Sequence, residues 1–370
     1  MARRNRAPPI GLTAAGAALF CAAVAAGAEL ARTDAAVYAS ACASCHGADG
    51  KGRLPERVGF ETPLPDFSDC SFATREPDAD WYAVVHQGGP TRAFARMMPA
   101  FGAALSEAEM MGALRHVRSF CGDARWPRGD LNLPLALFTE KAFPEDELVL
   151  QTFLDAEGPS EGETQAIFEK RFGARGQLEL VVPVAWADSA DGLATGLGDV
   201  AVGWKQNMLA DLETGSILSL GGEVILPTGD ENRGLGKGTA VVEPFALFGQ
   251  ILPADSFFQA HLFAEFPVED GFEDEVGWRA AVGRTFAVDD GFGRAWTPMV
   301  EVLGGRELAS GAKTSWDIVP QLQVSLSRRQ HVLAAVGARI PLTDADERDT
   351  QIVFYLLWDW YDGGFRDGWR

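Results

Sequence analysis

The chain has 370 residues, enough for two or three domains, and its 47% apolar content is ordinary for folded protein. A formal charge of −20 excludes nucleic acid as a partner, because phosphate binding needs clustered lysine and arginine. At the front, Arg3, Arg4 and Arg6 precede an apolar run from Ile10 to Ala25 and the small-residue site Ala26-Gly27-Ala28. This three-part pattern predicts a secretory signal peptide over residues 1–28, cleaved after Ala28. The run is short for crossing roughly 30 Å of hydrocarbon. Phe20 before Cys21 does not fit a lipoprotein cleavage box, so Cys21 is expected to leave with the signal.

Asp34 to Ala41 reads as a short helix, with Thr33 or Asp34 as its cap. It leads into Cys42-Ala43-Ser44-Cys45-His46. Two thiols three positions apart can bond covalently to the vinyl groups of a haem while the following imidazole ligates its iron. The motif therefore predicts one covalently attached haem c, on Cys42, Cys45 and His46. A glycine-dense loop, Gly47 to Gly52, lets backbone pass close to a porphyrin edge. A helix is expected from Asp78 to His86, stopped by Gly88-Gly89-Pro90.

Next comes Met97-Met98-Pro99-Ala100-Phe101-Gly102. A thioether is a soft ligand that favours reduced iron, and Met98 is the expected sixth ligand, with Met97 its substitute. The competing reading of Met98 is a core methionine; His86 and His116 are the other candidate ligands. Ser106-Glu107-Ala108-Glu109 opens a last helix with a capping box, and Met110, Leu114, Val117 and Phe120 give it an apolar face. Cys70 and Cys121 either pair, as an oxidising compartment allows, or stand as two buried thiols.

Residues 33–125 resemble class I cytochrome c in the initial helix with Tyr38, the Cys42-to-Gly47 attachment motif, the Met98-Pro99-Ala100-Phe101 segment and the closing helix. The resemblance implies a small all-α fold around one low-spin haem, with Cys42 and Cys45 as thioether anchors and His46 and Met98 as axial ligands. Iron so ligated has no vacant position for a substrate. Outer-sphere electron transfer follows, by an electron carrier and not an enzyme.

Residues 126–146, with Pro127, Pro134 and Pro144, read as a linker. Beyond it, segments of alternating polarity are separated by glycine, aspartate, asparagine and proline. Strands are expected at 147–154, 163–172, 177–187, 198–208, 215–227, 238–250, 256–267, 276–287, 294–304, 313–326, 330–341 and 349–360. Apolar rows such as Leu178-Leu180-Val182-Val184-Trp186 and Trp316-Ile318-Pro320-Leu322-Val324 alternate with Glu179, Asp199, Lys205, Glu243, Glu265, Arg279, Glu301, Asp317 and Arg339. A soluble sandwich would hold such charges in a dry core; a membrane barrel faces lipid with one row and water with the other. The expected fold is thus multidomain: an all-α haem domain, then an all-β, 12-stranded antiparallel transmembrane β-barrel over residues 147–370. Arg284, in an apolar row, should lie near an interface.

Gly196-Leu197-Gly198-Asp199-Val200 and the stretch Gly221 to Asp230 resemble the outer-membrane family named for transport in the meta-pathway of phenol degradation, over about residues 150–365. An even-stranded barrel places both termini in the periplasm, and hence the haem domain at the inner mouth. Expected partners are periplasmic redox proteins and outer-membrane lipid. The alternative is a channel or transporter for small molecules, aromatic ones among them, with the haem domain as a redox-sensitive plug. A haem enzyme or sensor, in which Met98 dissociates, is a third reading. Gly234-Leu235-Gly236-Lys237-Gly238 lacks the strand-to-helix context of a nucleotide site.

Overall fold

The computed structural model describes residues 32–156, 161–189, 192–288 and 291–369. The expected signal peptide, with Cys21, lies outside them. Six short helices occupy the front: α1 (Asp34–Ala41), α2 (Ala43–His46), α3 (Pro55–Val58), α4 (Cys70–Ala73), α5 (Asp78–Gln87) and α6 (Glu107–Arg118). Thr33 Oγ1 accepts the Ala36 N–H at 3.3 Å, and Ser106 and Glu109 form the capping box expected for α6. Helices α1 and α6 pack together, and Arg115 grips Asp34 through Nε at 2.9 Å and Nη2 at 3.0 Å.

A single antiparallel sheet follows. It begins with β1 (Glu147–Asp155), β2 (Gly162–Phe172) and β3 (Gly176–Ser189). β4 (Gly192–Leu197) and β5 (Ala201–Asp211) both pair with β3, as two halves of one stave. At the break, the Asp199 carboxylate takes the Gly229 and Lys237 N–H groups, so the loop after the next strand seats there. The ring continues through β6 (Ser216–Ile225), β7 (Val241–Leu252) and β8 (Ser256–Pro267). β9 (Glu275–Arg284) and the two-residue β10 (Phe286–Ala287) share one partner, β11 (Ala295–Glu307). β12 (Ser315–Ser325), β13 (Val332–Pro341) and β14 (Gln351–Asp359) complete the ring, and β14 pairs with β1 from Glu147↔Asp359 to Asp155↔Gln351. Fourteen strands with two pairs of halves make twelve staves, the number expected, closed without an edge.

The faces of this barrel are inverted relative to a soluble protein. Leu262 is 58% exposed and Val184 and Val336 are each 53% exposed, whereas Glu301, Asp317 and Lys205 are buried. The apolar rows thus face outward, as lipid requires, and the barrel is outer-membrane-type. Arg284 ends β9, exposed, with its guanidinium 4.7 Å from the Phe286 ring centroid. Among the described residues no helix is long and apolar enough to cross a membrane.

Of residues 126–146, expected as a linker, Arg128 to Asp130 bond back to the helical domain and Leu131 to Glu145 enter the lumen instead. Backbone groups from Pro134 to Glu145 bond to side chains on nearly every side of the ring. The Thr139 N–H reaches Glu301 at 2.7 Å and the Leu137 N–H reaches Gln321 at 3.0 Å. Carbonyl oxygens accept from Gln259 (Pro134, 2.8 Å), Tyr355 (Leu135, 2.8 Å), Gln151 (Leu137, 2.6 Å), Arg279 (Phe138, 2.6 Å) and Lys205 (Lys141, 2.9 Å). Only a segment inside the barrel can meet partners from β1, β5, β8, β9, β11, β12 and β14 at once. Leu131, Leu133, Leu137 and Phe143 are buried against Ile217, Phe257, Val319 and Val353, so part of the lumen expected to be wet is packed. Every polar backbone group so enclosed needs a partner, and the inward-facing polar row supplies them.

Glu147 pairs with Asp359, so both ends of the sheet lie at one rim of the barrel. The turns around Arg175, Phe292 and Arg329 lie at that rim and touch the helical domain. Arg175 Nε donates to the Arg125 carbonyl at 2.9 Å, and Arg75 pairs with the buried Asp146 and lies over Tyr361 at 3.8 Å. The last strand ends at Asp359, and Trp360 to Asp362 turn beneath it as a short 3₁₀ segment.

Candidate haem site

α1 and α2 meet at Cys42, so the attachment motif lies on one helical turn. Cys42 and Cys45 are free thiols, each half-buried. Burial first, and then the neighbouring Cys45, pushes the Cys42 thiol up to about 11. His46 Nδ1 is buried and has no hydrogen-bond partner. Burial also lowers the His46 pKa, which holds the imidazole neutral and its lone pair available to a metal.

Behind the motif, the Tyr38 hydroxyl donates to the Gly47 carbonyl at 2.7 Å inside the core. That bond ties the motif's exit to α1. Phe67 lies 5.0 Å from the His46 ring and 5.4 Å from Trp81, and Phe72 completes an aromatic wall. Trp81 is shared with a second apolar cluster, built on Val85, Met110 and Leu114, in which Met98 and Phe101 pack. Met98 thus faces the protein, while Met97 is 52% exposed. The histidines held as alternative ligands are placed elsewhere: His116 lies 5.0 Å from both Tyr38 and Phe120, and His86 stacks on Phe292 at 4.8 Å.

Cys70 and Cys121 are disulfide-bonded with a Cα–Cα distance of 5.1 Å, which joins α4 to the chain just after α6. Beside that bridge, Arg118 is sunk with its Nε on Asp78 at 2.9 Å, its Nη2 on the Glu76 carbonyl at 2.8 Å and its guanidinium 3.8 Å above Trp81. The residues present fit a covalently attached haem. They offer two unpaired thiols on one turn, an imidazole with an orphaned buried nitrogen, and a thioether on an aromatic-lined apolar cluster.

Residues 29–117 match the family model described as cytochrome C oxidase, cbb3-type, subunit III. The front of the chain is a cytochrome c-type domain. No curated protein matches this chain. Among solved structures, the COG4313 outer membrane channel from Pseudomonas putida F1 is 14% identical with a TM-score of 0.42, over 61% of this chain and 99% of that one. The NanC porin is 9% identical with a TM-score of 0.41, over 57% and 97%. The KdgM porin in complex with disordered oligogalacturonate is 10% identical with a TM-score of 0.36, over 57% and 98%.

Two features of the cytochrome–barrel assembly carry weak sequence signals or none. Leu131, Leu133, Leu135 and Leu137 recur at every second position, which is the trace of an extended, buried segment among the prolines. Phe292 sits alone in a turn, and nothing local marks its contact with His86. Beyond the lumen segment, on the side away from the cytochrome, Glu140, Glu163, Glu179, Asp199 and Glu223 line a chamber of about 340 Å³.

Proposed function

We propose that this protein is an outer-membrane electron carrier, exchanging single electrons with periplasmic redox proteins through one covalently attached haem. The observation that carries the reading is the donor set, with His46 and Met98 on walls that share Trp81. A haem bound there supplies a one-electron couple whose potential the axial ligands and burial set. Cys42 and Cys45 fix it to one helical turn, His46 offers a neutral nitrogen, and Met98 offers a sulfur that favours the reduced state. If His46 and Met98 both held the iron, no position would be left for a substrate, and the group would supply electron transfer rather than turnover. The barrel serves as an anchor: residues 131–145 fill the lumen that a channel would need, and the cytochrome stands at the rim where the termini lie. Because both termini of an even-stranded barrel lie in the periplasm, that rim is the periplasmic one.

The test is the near-infrared spectrum of the oxidised protein beside Met98→Ala and Met97→Ala. A weak sulfur-to-iron band present in the native protein and in Met97→Ala, and lost in Met98→Ala, is expected. A native protein that is high-spin, or that binds carbon monoxide rapidly when reduced, would move the function to a haem enzyme or sensor.

A further inference from the structure

Resting on Met98 as axial ligand, we infer that Phe292 of the barrel is a positioning residue for that ligand: two barrel turns hold the cytochrome segment that presents Met98.

The first turn, between β10 and β11, contributes Phe292. Its ring stacks on His86 at 4.8 Å and on Tyr82 at 6.3 Å, with interplanar angles of 17° in both pairs. His86 and Tyr82 are one turn apart on α5, so a single barrel side chain covers the end of that helix. The Phe292 carbonyl accepts Arg92 Nη1 at 2.6 Å, and Arg92 is itself buried, with Nε and Nη2 on Asp80 at 2.9 and 2.8 Å. The second turn, between β12 and β13, contributes Arg329, whose guanidinium lies 4.6 Å from the Phe94 ring. Gln330 Nε2 donates to the Gly293 carbonyl at 3.1 Å and ties the two turns to each other. The stretch from Tyr82 to Phe94 is therefore held by the barrel from its first residue to its last.

That stretch is what the Met98 segment lies against. The Gly89 N–H donates to the Met98 carbonyl at 3.0 Å. The Phe101 N–H reaches the Val85 carbonyl at 2.9 Å and the Gly102 N–H reaches the His86 carbonyl at 3.0 Å. The His86 imidazole presses so closely on Gly102 that a Cβ there would stand 2.7 Å from it. A displacement of His86 is accordingly passed to residues 98–102 through main-chain bonds and a contact without slack. In a free-standing domain the same segment would keep its backbone bonds but lose the wall formed by Phe292. Seating on the barrel thus sets how tightly Met98 is held, although no barrel residue is offered as a ligand.

The test uses the full chain, haem-loaded, with Phe292→Ala beside Phe292→Tyr, which keeps the stack, and Phe94→Leu, which loosens the other grip. Two readouts report on Met98: the rate at which reduced protein binds carbon monoxide, which requires the sulfur to leave, and amide hydrogen exchange over residues 95–104. Phe292→Ala is expected to bind carbon monoxide about three- to tenfold faster, in line with the loss of an aromatic stack. Its exchange should rise over the same residues. Phe94→Leu should move in the same direction, and Phe292→Tyr should match the native protein. Unchanged rates and exchange in both Phe292→Ala and Phe94→Leu, in a protein that shows the sulfur-to-iron band, would overturn this inference alone. A native protein without that band would overturn the assignment of Met98, and this inference with it.

Discussion

Glu301, fully buried on β11, receives the Thr139 N–H at 2.7 Å and the Thr139 hydroxyl at 2.6 Å, so one carboxylate pins the lumen segment at its middle. The Phe138 N–H adds a third bond at 3.1 Å. Bonds to a charged group contribute about 1.5–3 kcal/mol each, more than neutral ones. Glu301→Ala is expected to leave four donors unmet, the Gln321 side-chain amide included, and to convert a silent barrel into one with flickering conductance in planar bilayers. Deletion of residues 131–143 should give a steady open pore. If the native protein already conducts like the deletion variant, the segment does not close the lumen.

Cys70 and Cys121 are 51 residues apart in sequence, and their bridge restrains the unfolded cytochrome more than the folded one. Loop-closure entropy for that length corresponds to about 4 kcal/mol. The double substitution Cys70→Ser, Cys121→Ser should lower the domain's unfolding free energy by about that amount, read by haem absorbance in denaturant. A loss well under about 1 kcal/mol would mean that Arg118 and its partners hold the same elements without the bridge.

How much of this was legible in the sequence depends on how local the cause is. Cys42, Cys45 and His46 act through spacing along one turn, so their chemistry could be read from five consecutive letters. The twelve staves were legible because the period of two in rows such as Leu178 to Trp186 records which side faces lipid. The break between β4 and β5 was not, since it depends on Asp199 meeting a loop about thirty residues on. Residues 126–146 read as a linker because Pro127, Pro134 and Pro144 break local pairing, while the partners that hold the segment are spread around the ring, out to Tyr355. Phe292 matters only through a fold that brings a barrel turn to α5, which no window of sequence contains.

Tyr38 is 1% exposed, and burial first, with smaller contributions from Cys42 and Asp49, pushes its phenol up to about 12 from the usual 10. The folded state therefore favours the neutral form. Its contribution is fully present below about pH 10 and is lost as pH rises toward about 12, because the unfolded chain ionises first. Cytochrome stability should fall across that alkaline window, and Tyr38→Phe should remove the Tyr38 part of the slope. At neutral pH the same substitution loses the bond to the Gly47 carbonyl and is expected to cost about 1–3 kcal/mol. A slope identical in the two proteins would assign the alkaline transition to another group.

Leu262 stands near the middle of β8 and is 58% exposed, on the face where β8 also presents Phe266. In water that exposure would be a liability; against hydrocarbon it is the stable arrangement. Leu262→Arg should destabilise the barrel in lipid vesicles by about 2–4 kcal/mol if it lies near the bilayer midplane. Val268→Arg provides the contrast, since Val268 is exposed on the same alternating face just past the end of β8, at the rim away from the helical domain, and its substitution should cost about 1 kcal/mol or less. Urea unfolding of both variants in vesicles reads the difference directly. Equal, small effects at the two positions would show that the exposed apolar row does not face lipid, since depth is the property that separates them.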